Sequence, residues 1–263
     1  MFRPLLTTQM TMNPKALILH ANGTNRDRDV AHALQLAGAN PEIVHINQLR
    51  RAERQLADYH MLIAPGGFSY GDALGAGRLF ALDLQTFFAE QVTAFVASGK
   101  PVLGICNGFQ VLVKAGILPA GNFSATLTHN QRGHFECRWV HLLPQSSQCV
   151  WIRTGDAPLQ CPVAHGEGRF VCEDAPALAS QQQIALRYAL PDGTPANGQY
   201  PANPNGSVLD IAGVCNPSGN VLGLMPHPEN HIWLHQHPNW TRASANGLAL
   251  SLFQNGVRYA NQC

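Results

Sequence analysis

The chain has 263 residues, of which 45% are apolar and 13% charged, with a net charge of +1. That length supports a substantial core, as one large domain or two small ones, and the near-zero charge gives no electrostatic footprint for nucleic acid or an anionic membrane. No apolar run approaches the ~20 residues of a membrane span, and Met1 to Pro14 lacks a signal-peptide core, so a cytoplasmic protein is expected.

Lys15 to His20 reads as a first strand, followed by a polar turn through Asn22, Gly23 and Asn25. A helix is expected over about Asp29 to Ala37, then a short strand at Glu42 to Ile46, a helical stretch at Leu49 to Tyr59, and a third strand at His60 to Ala64. The glycine-rich loop Pro65 to Gly77 leads into a long helical stretch ending near Gly99. A fourth strand stops at Cys106, and the helix after it closes near Gly116. Strands alternating with helices in this way predict a mostly parallel central sheet with helices on both faces.

From His134 the pattern changes to short strand-like runs: Phe135 to Leu143, Val150 to Arg153, Val163 to Val171, Ile184 to Leu190, Val208 to Val214 and Val221 to Met225. These predict a smaller antiparallel or mixed extension. Pro191 to Gly206 is rich in proline and glycine and reads as a loop. A last helix is expected over about Ala243 to Tyr259. The expected organisation is an N-terminal extension, residues 1–13, poorly ordered, and a single domain over residues 14–260. Seven irregularly spaced cysteines give no zinc pattern and suit a reducing compartment, with Cys137, Cys161, Cys172 and Cys215 expected as core thiols.

The chemistry centres on Gly104-Ile-Cys-Asn-Gly108, a strand-to-helix junction with glycines two residues either side of Cys106. That spacing lets a strained elbow form and lifts the cysteine clear of the sheet, its thiol near a helix N-terminus that favours the thiolate. A buried structural thiol is the competing reading. A cysteine nucleophile needs a base and a group to orient it. His227, directly after an apolar strand in Met225-Pro-His-Pro-Glu229, is the best-placed histidine, with Glu229 beside it in a segment that the two prolines should hold extended. His165 is the second candidate. The amide of Asn107 follows the nucleophile and can supply one oxyanion donor, and Pro65-Gly66-Gly67 a second. His227, His231 and His235 recur every four residues, but the prolines spoil a helix there and no ligand completes a metal set, so no metal is expected. A phosphate-binding glycine motif is also missing.

Cys106 in Gly-x-Cys-x-Gly-x-Gln with a distant His-x-Glu resembles the class I, triad-type glutamine amidotransferases. Ala64-Pro-Gly-Gly-Phe-Ser-Tyr-Gly-Asp72, Pro162-Val-Ala-His-Gly-Glu-Gly-Arg169 and Gly219-Asn-Val-Leu-Gly-Leu-Met-Pro-His-Pro-Glu229 are similar, more narrowly, to the glutaminase subunits of phosphoribosylformylglycinamidine synthases. The resemblance runs from Lys15 to about Gln254. It departs in the first turn, where Asn22-Gly-Thr-Asn-Arg26 replaces the family's Pro-Gly-Ser/Thr-Asn-Cys, and after Glu229, where Asn230 stands in place of arginine.

The resemblance implies a flavodoxin-like amidotransferase fold, with Cys106 attacking glutamine, His227 moving protons and Glu229 orienting it. Gly67 and Asn107 would stabilise the oxyanion, and Gln110 would contact glutamine. It also implies two partners, a synthetase subunit of the PurL type and a small accessory subunit of the PurS type. ATP and Mg would bind the synthetase, and this chain would carry no cofactor of its own. Other readings are a glutaminase for another synthetase, a DJ-1-like cysteine-elbow protein, or a non-catalytic module on the same fold. The intact Cys, His and Glu argue against the last two.

Overall fold

The computed structural model describes residues 13–145, 148–153, 155–242 and 248–263. All of the expected N-terminal extension but Asn13, and the expected start of the last helix at 243–247, lie outside the described residues. Strand β1 (Lys15–His20) leads through helix α1 (Asp27–Leu36) to β2 (Asn40–His45), α2 (Ile46–Arg50) and β3 (Met61–Ala64). Helices α3 (Arg78–Phe87) and α4 (Ala89–Ala97) precede β4 (Val102–Ile105), and α5 (Asn107–Lys114) follows it. The remainder runs β5 (Ala125–Thr128), β6 (Glu136–Pro144), β7 (Leu159–His165), β8 (Arg169–Cys172), α6 (Ala175–Ser180), β9 (Ile184–Ala189), β10 (Ile211–Cys215), β11 (Val221–Leu224) and α7 (Leu250–Ala260).

Nine strands form one sheet in the order β2-β1-β3-β4-β11-β10-β9-β6-β7, and β5 and β8 form a small antiparallel pair. The first five strands in that order are mutually parallel; from β11 onward each pair is antiparallel. Chemistry of the strands follows this division. β3, β4 and β11 are apolar and buried at every residue, as strands covered on both faces must be. β7 alternates buried with half-buried residues, the mark of a strand with one covered face.

The insertion of β11 beside β4 positions the site. Leu224 pairs with Ile105, and the Cys106 amide donates to the Leu224 carbonyl at 2.8 Å. Chain leaving β11 therefore emerges at the same sheet end as Cys106. Ala64 pairs with Gly104, so Pro65 to Gly67 leave β3 there too. The antiparallel half curls over this end: β7, at the far edge of the sheet, takes a hydrogen bond from the His227 amide at the Pro162 carbonyl (2.8 Å).

Several elements differ from the sequence reading. The helix expected over Leu49 to Tyr59 ends at Arg50, because residues 51–55 are all exposed and Ala52 takes a positive φ of 55°. No buried face is available there to hold a longer helix. The long helical stretch after Gly77 is two helices, broken at buried Phe88, where φ is −134°. Val150 to Arg153 forms turns rather than a strand, with Trp151 buried and its indole donating to the Asn220 carbonyl at 3.3 Å. The run Val163 to Val171 divides into β7 and β8, which belong to different sheets. β5 and α6 have no counterpart in the sequence reading. None of the seven cysteines forms a disulfide, and Cys137, expected in the core, is exposed because it takes an outward position on β6.

Candidate active site

Cys106 stands at the sharp junction of β4 and α5 with φ 50° and ψ −104°, a conformation that costs a residue with a β-carbon about 1–3 kcal/mol. Neighbouring glycines make the junction possible. A Cβ on Gly108 would lie 1.8 Å from the Ala64 carbonyl oxygen, and one on Gly104 would lie 2.5 Å from Leu112 Cδ1. Helix α5 can therefore rest directly on the ends of β3 and β4, as the elbow reading requires. The Cys106 side chain is buried, with Sγ 3.8 Å from the Ala164 carbonyl on β7.

His227 and Glu229 are both buried, and Nδ1 of the histidine meets Oε1 of the glutamate at 2.7 Å. The other edge of the ring hydrogen-bonds the Cys106 side chain, completing a Cys–His–Glu chain. The local backbone is not the extended segment expected from the prolines. Pro228 to Asn230 form a 3-10 turn, closed by the Asn230 amide on the His227 carbonyl (3.2 Å) and the His231 amide on Pro228 (3.1 Å). The turn, not strand alternation, swings Glu229 back under the imidazole. Burial opposes a charge on His227, but the Glu229 carboxylate and the Cys106 sulfur outweigh it and push its pKa up to about 10. His227 thus holds its proton at neutral pH.

Gly67, at φ 142°, follows β3 at the same sheet end, and its neighbour Gly66 lies so close to His227 that a Cβ would be 2.8 Å from Cε1. Among the described residues the amides of Gly67 and Asn107 donate to no protein oxygen, as oxyanion donors must before substrate arrives. The Asn107 side chain is structural: its Oδ1 accepts from Ser69 Oγ (2.6 Å), and its Nδ2 donates to Gln110 Oε1 (3.0 Å). Gln110 in turn donates to the Glu167 carbonyl at 2.7 Å, so its carboxamide braces α5 against the turn after β7 while the residue lines the cavity.

That cavity, of about 190 Å³, also holds Gly67, Cys106, His165, Asp72 and Glu167 in its wall. It is smaller than the ~300–1,000 Å³ usual for drug-sized ligands and suits a small substrate. A larger cavity of about 440 Å³ between residues 49–57 and α4 is mainly apolar and is lined by neither a cysteine nor a histidine, so the chemistry marks the smaller one. The structure therefore brings together Cys106, His227, Glu229, Gly67, Asn107 and Gln110, all six residues singled out from sequence. It adds Asp72 and Glu167, which the sequence reading quoted within motifs but gave no role. Their motif positions were the available signal. Among the described residues no group of three or more His, Cys, Asp or Glu is arranged to hold a metal ion, and no helix is long and apolar enough to cross a membrane.

An elbow cysteine with a His–Glu pair on an α/β sheet defines a triad-type glutamine amidotransferase. A family model for the CobB/CobQ-like glutamine amidotransferase domain matches residues 13–260, and the chain belongs to this family, in its branch of phosphoribosylformylglycinamidine synthase subunits PurQ. It is 52% identical to the PurQ subunit of Treponema denticola, over 94% of this chain and 99% of that one. With the PurQ subunit of Methanococcus maripaludis the identity is 41%, covering 95% and 98%. Its fold matches a chain in the structure of PurLQS from Thermotoga maritima with a TM-score of 0.73, 33% identity, and coverage of 94% and 99%. A glutamine amidotransferase from Thermotoga maritima, 14% identical over 95% of this chain and 99% of that one, shares the fold with a TM-score of 0.57.

Proposed function

We propose that this chain is the glutaminase subunit of a phosphoribosylformylglycinamidine synthase and that Cys106, His227 and Glu229 carry the hydrolysis. Cys106 Sγ attacks the side-chain carbonyl carbon of glutamine as the thiolate, its proton residing on His227. The carbonyl oxygen becomes an oxyanion facing the amides of Gly67 and Asn107. His227 gives its proton to the departing nitrogen; the C–N bond breaks, ammonia leaves, and a thioester remains on Cys106. His227 then takes a proton from water as the water attacks the thioester, and glutamate is released with the cysteine restored. Glu229 holds the Nδ1–H tautomer and supports the imidazolium. Gln110 shapes the glutamine side of the cavity.

Ammonia is the product of use, and in water most of it would be protonated and lost as a nucleophile. Transfer to a synthetase subunit of the PurL type, assembled with a small subunit of the PurS type, avoids that loss. The synthetase would use ATP and Mg to convert formylglycinamide ribonucleotide to its amidine, and this chain would need no cofactor. A cytoplasmic setting fits both the free thiols and this role. The observation that carries the proposal is the Cys106–His227–Glu229 chain at a glycine-flanked elbow. Its test is Cys106→Ala in the reconstituted complex. Glutamine-dependent synthesis should vanish while ammonia-dependent synthesis persists, and a glutamine-driven rate near wild type would eliminate the proposed nucleophile.

A further inference from the structure

The loop Pro191 to Gly206 has no part in the chemistry at Cys106, yet buried polar side chains hold it in place. Asn203, 2% exposed, donates through Nδ2 to the Ser207 carbonyl and to Asp210 Oδ1, both at 2.9 Å, and its Oδ1 accepts from the Gly206 amide at 2.9 Å. Asn205, fully buried, donates to the Gly168 carbonyl at 2.8 Å and to the Tyr188 hydroxyl at 3.0 Å. A satisfied buried network of this kind fixes the backbone that carries it. The same loop nevertheless leaves Tyr200 42% exposed.

Two guanidinium groups lie against the Tyr200 ring, Arg132 at 4.3 Å from its centroid and Arg138 at 4.7 Å, where the π-electrons attract a cation. Arg138 also donates to the Tyr200 hydroxyl and, at 2.7 Å, to Glu136 Oε2, so its charge is balanced. Arg132 is different: its guanidinium has no hydrogen bond or ion pair with any described residue. It is a positive fork steadied by an aromatic ring and lacking an acceptor. Arg132 and Tyr200 line a cleft of about 410 Å³ with Gln131, Asn203, Pro204 and Gly206, and the described residues of its wall include no aspartate or glutamate.

One turn joins this cleft to the Cys106 cavity. His129 and Phe135 line the cavity, Gln131 and Arg132 line the cleft, and the Asn130 amide ties the turn to the Gly166 carbonyl at 2.9 Å. A synthetase that receives ammonia from Cys106 must sit against the cavity mouth, where Phe135 is 55% exposed, and the cleft is then beside it. One planar cation with two carboxamides suits a single carboxylate, which a guanidinium takes through two parallel hydrogen bonds. A doubly charged phosphate would find no second cation in the wall. Interfaces concentrate their binding energy on arginine and tyrosine seated in such pockets. Resting on the assembly with a synthetase proposed above, we propose that Arg132, clamped on Tyr200, is a docking anchor that takes an aspartate or glutamate side chain of that partner.

The test measures, by interferometry, binding of the full chain to its immobilised synthetase and small-subunit partners with nucleotide and acceptor present. Arg132→Glu should weaken assembly at least tenfold, mainly through faster dissociation. Arg132→Lys keeps the charge but loses the fork and should weaken it at least threefold, as should Tyr200→Leu, which releases the clamp. Glutamine hydrolysis by the isolated chain, and its melting temperature, should keep wild-type values in both Arg132 variants. Arg51→Glu, the same charge change at an exposed arginine just beyond α2, should leave assembly unchanged. Undiminished affinity in Arg132→Glu overturns the anchor, as does an equal loss in Arg51→Glu, which would mark net charge alone. A loss confined to the association rate and erased by salt would make Arg132 a steering charge and also overturns it. If wild-type chain itself fails to bind the synthetase, the assembly reading fails and the anchor with it, and that failure shows before any variant is compared.

Discussion

Cys106 accepts a positive φ that its β-carbon resists, and His227 and Glu229 accept burial that charged groups resist. Each cost is offset only by the chain the three form, so substitutions should have unequal effects. His227→Ala removes proton transfer itself, worth about 10²–10⁴-fold, and should act on kcat. Glu229→Gln leaves the imidazole in place and should cost less. A kcat loss at His165 as large as at His227 would reassign the base. Asp72 gives a stability prediction with a defined sign. Its carboxyl is raised from 3.8 to about 6 in the fold, so folded chain binds that proton more tightly than unfolded chain. The native state is favoured most below about pH 4 and loses ground as pH rises through 6. Asp72→Asn removes the penalty. Because the group is only partly buried, solvent screening reduces the effect to about 1 kcal/mol, or roughly 2–4 °C in Tm for a chain of this size. Thermal unfolding should show the variant gaining on wild type at pH 7.5 and gaining nothing at pH 4. A less stable variant at pH 7.5 would contradict the account.

The elbow was the most legible element, because its requirement is local: two glycines at fixed offsets from a cysteine after an apolar run. A Cβ on Gly108 would sit 1.8 Å from a backbone oxygen of β3, and backbone cannot turn aside as a side chain can. Gly108→Ala should therefore push α5 off the sheet, cost about 1–3 kcal/mol by overpacking, and displace the Asn107 amide from the oxyanion position. Denaturant unfolding and glutaminase assays should register both losses; wild-type activity in this variant would mean the elbow tolerates a wider gap. Fully buried β3, β4 and β11 were legible for a similar reason, as unbroken apolar runs. Other features were not legible because they depend on distant chain. Nothing near Pro228 announces the 3-10 turn that presents Glu229, nor does His165 announce that β7 curls over the site. Asp72 and Glu167 stand 95 positions apart and meet only through that curl.

Considered as a whole, the molecule has an assembled triad but a loosely closed substrate cavity. The loop carrying Gly67 and Asp72 meets the turn after β7 through the Ala76 amide and the Glu167 carboxylate at 3.3 Å, beyond the usual 2.7–3.2 Å. Around the mouth, apolar side chains face water: Phe68 is 45% exposed, Phe135 55% and Leu74 77%. Phe68 and Phe135 also line the cavity itself. Such exposure beside a catalytic cavity, in a chain only 13% charged, fits a surface that a partner covers. A partner pressing on Phe68 and Leu74 would tighten the loop that carries Gly67 and Asp72, both in the cavity wall. Closure on assembly is a recurrent way to gate hydrolysis, and here it would prevent glutamine being consumed with no acceptor for the ammonia. Steady-state glutamine hydrolysis by the isolated chain should therefore be slow and should rise at least tenfold in the complex with nucleotide and acceptor bound. Leu74→Ser should reduce the rise more than the basal rate, since Leu74 does not line the cavity. Equal turnover with and without the partner would rule out gating and leave a constitutive glutaminase whose mouth residues serve only to dock.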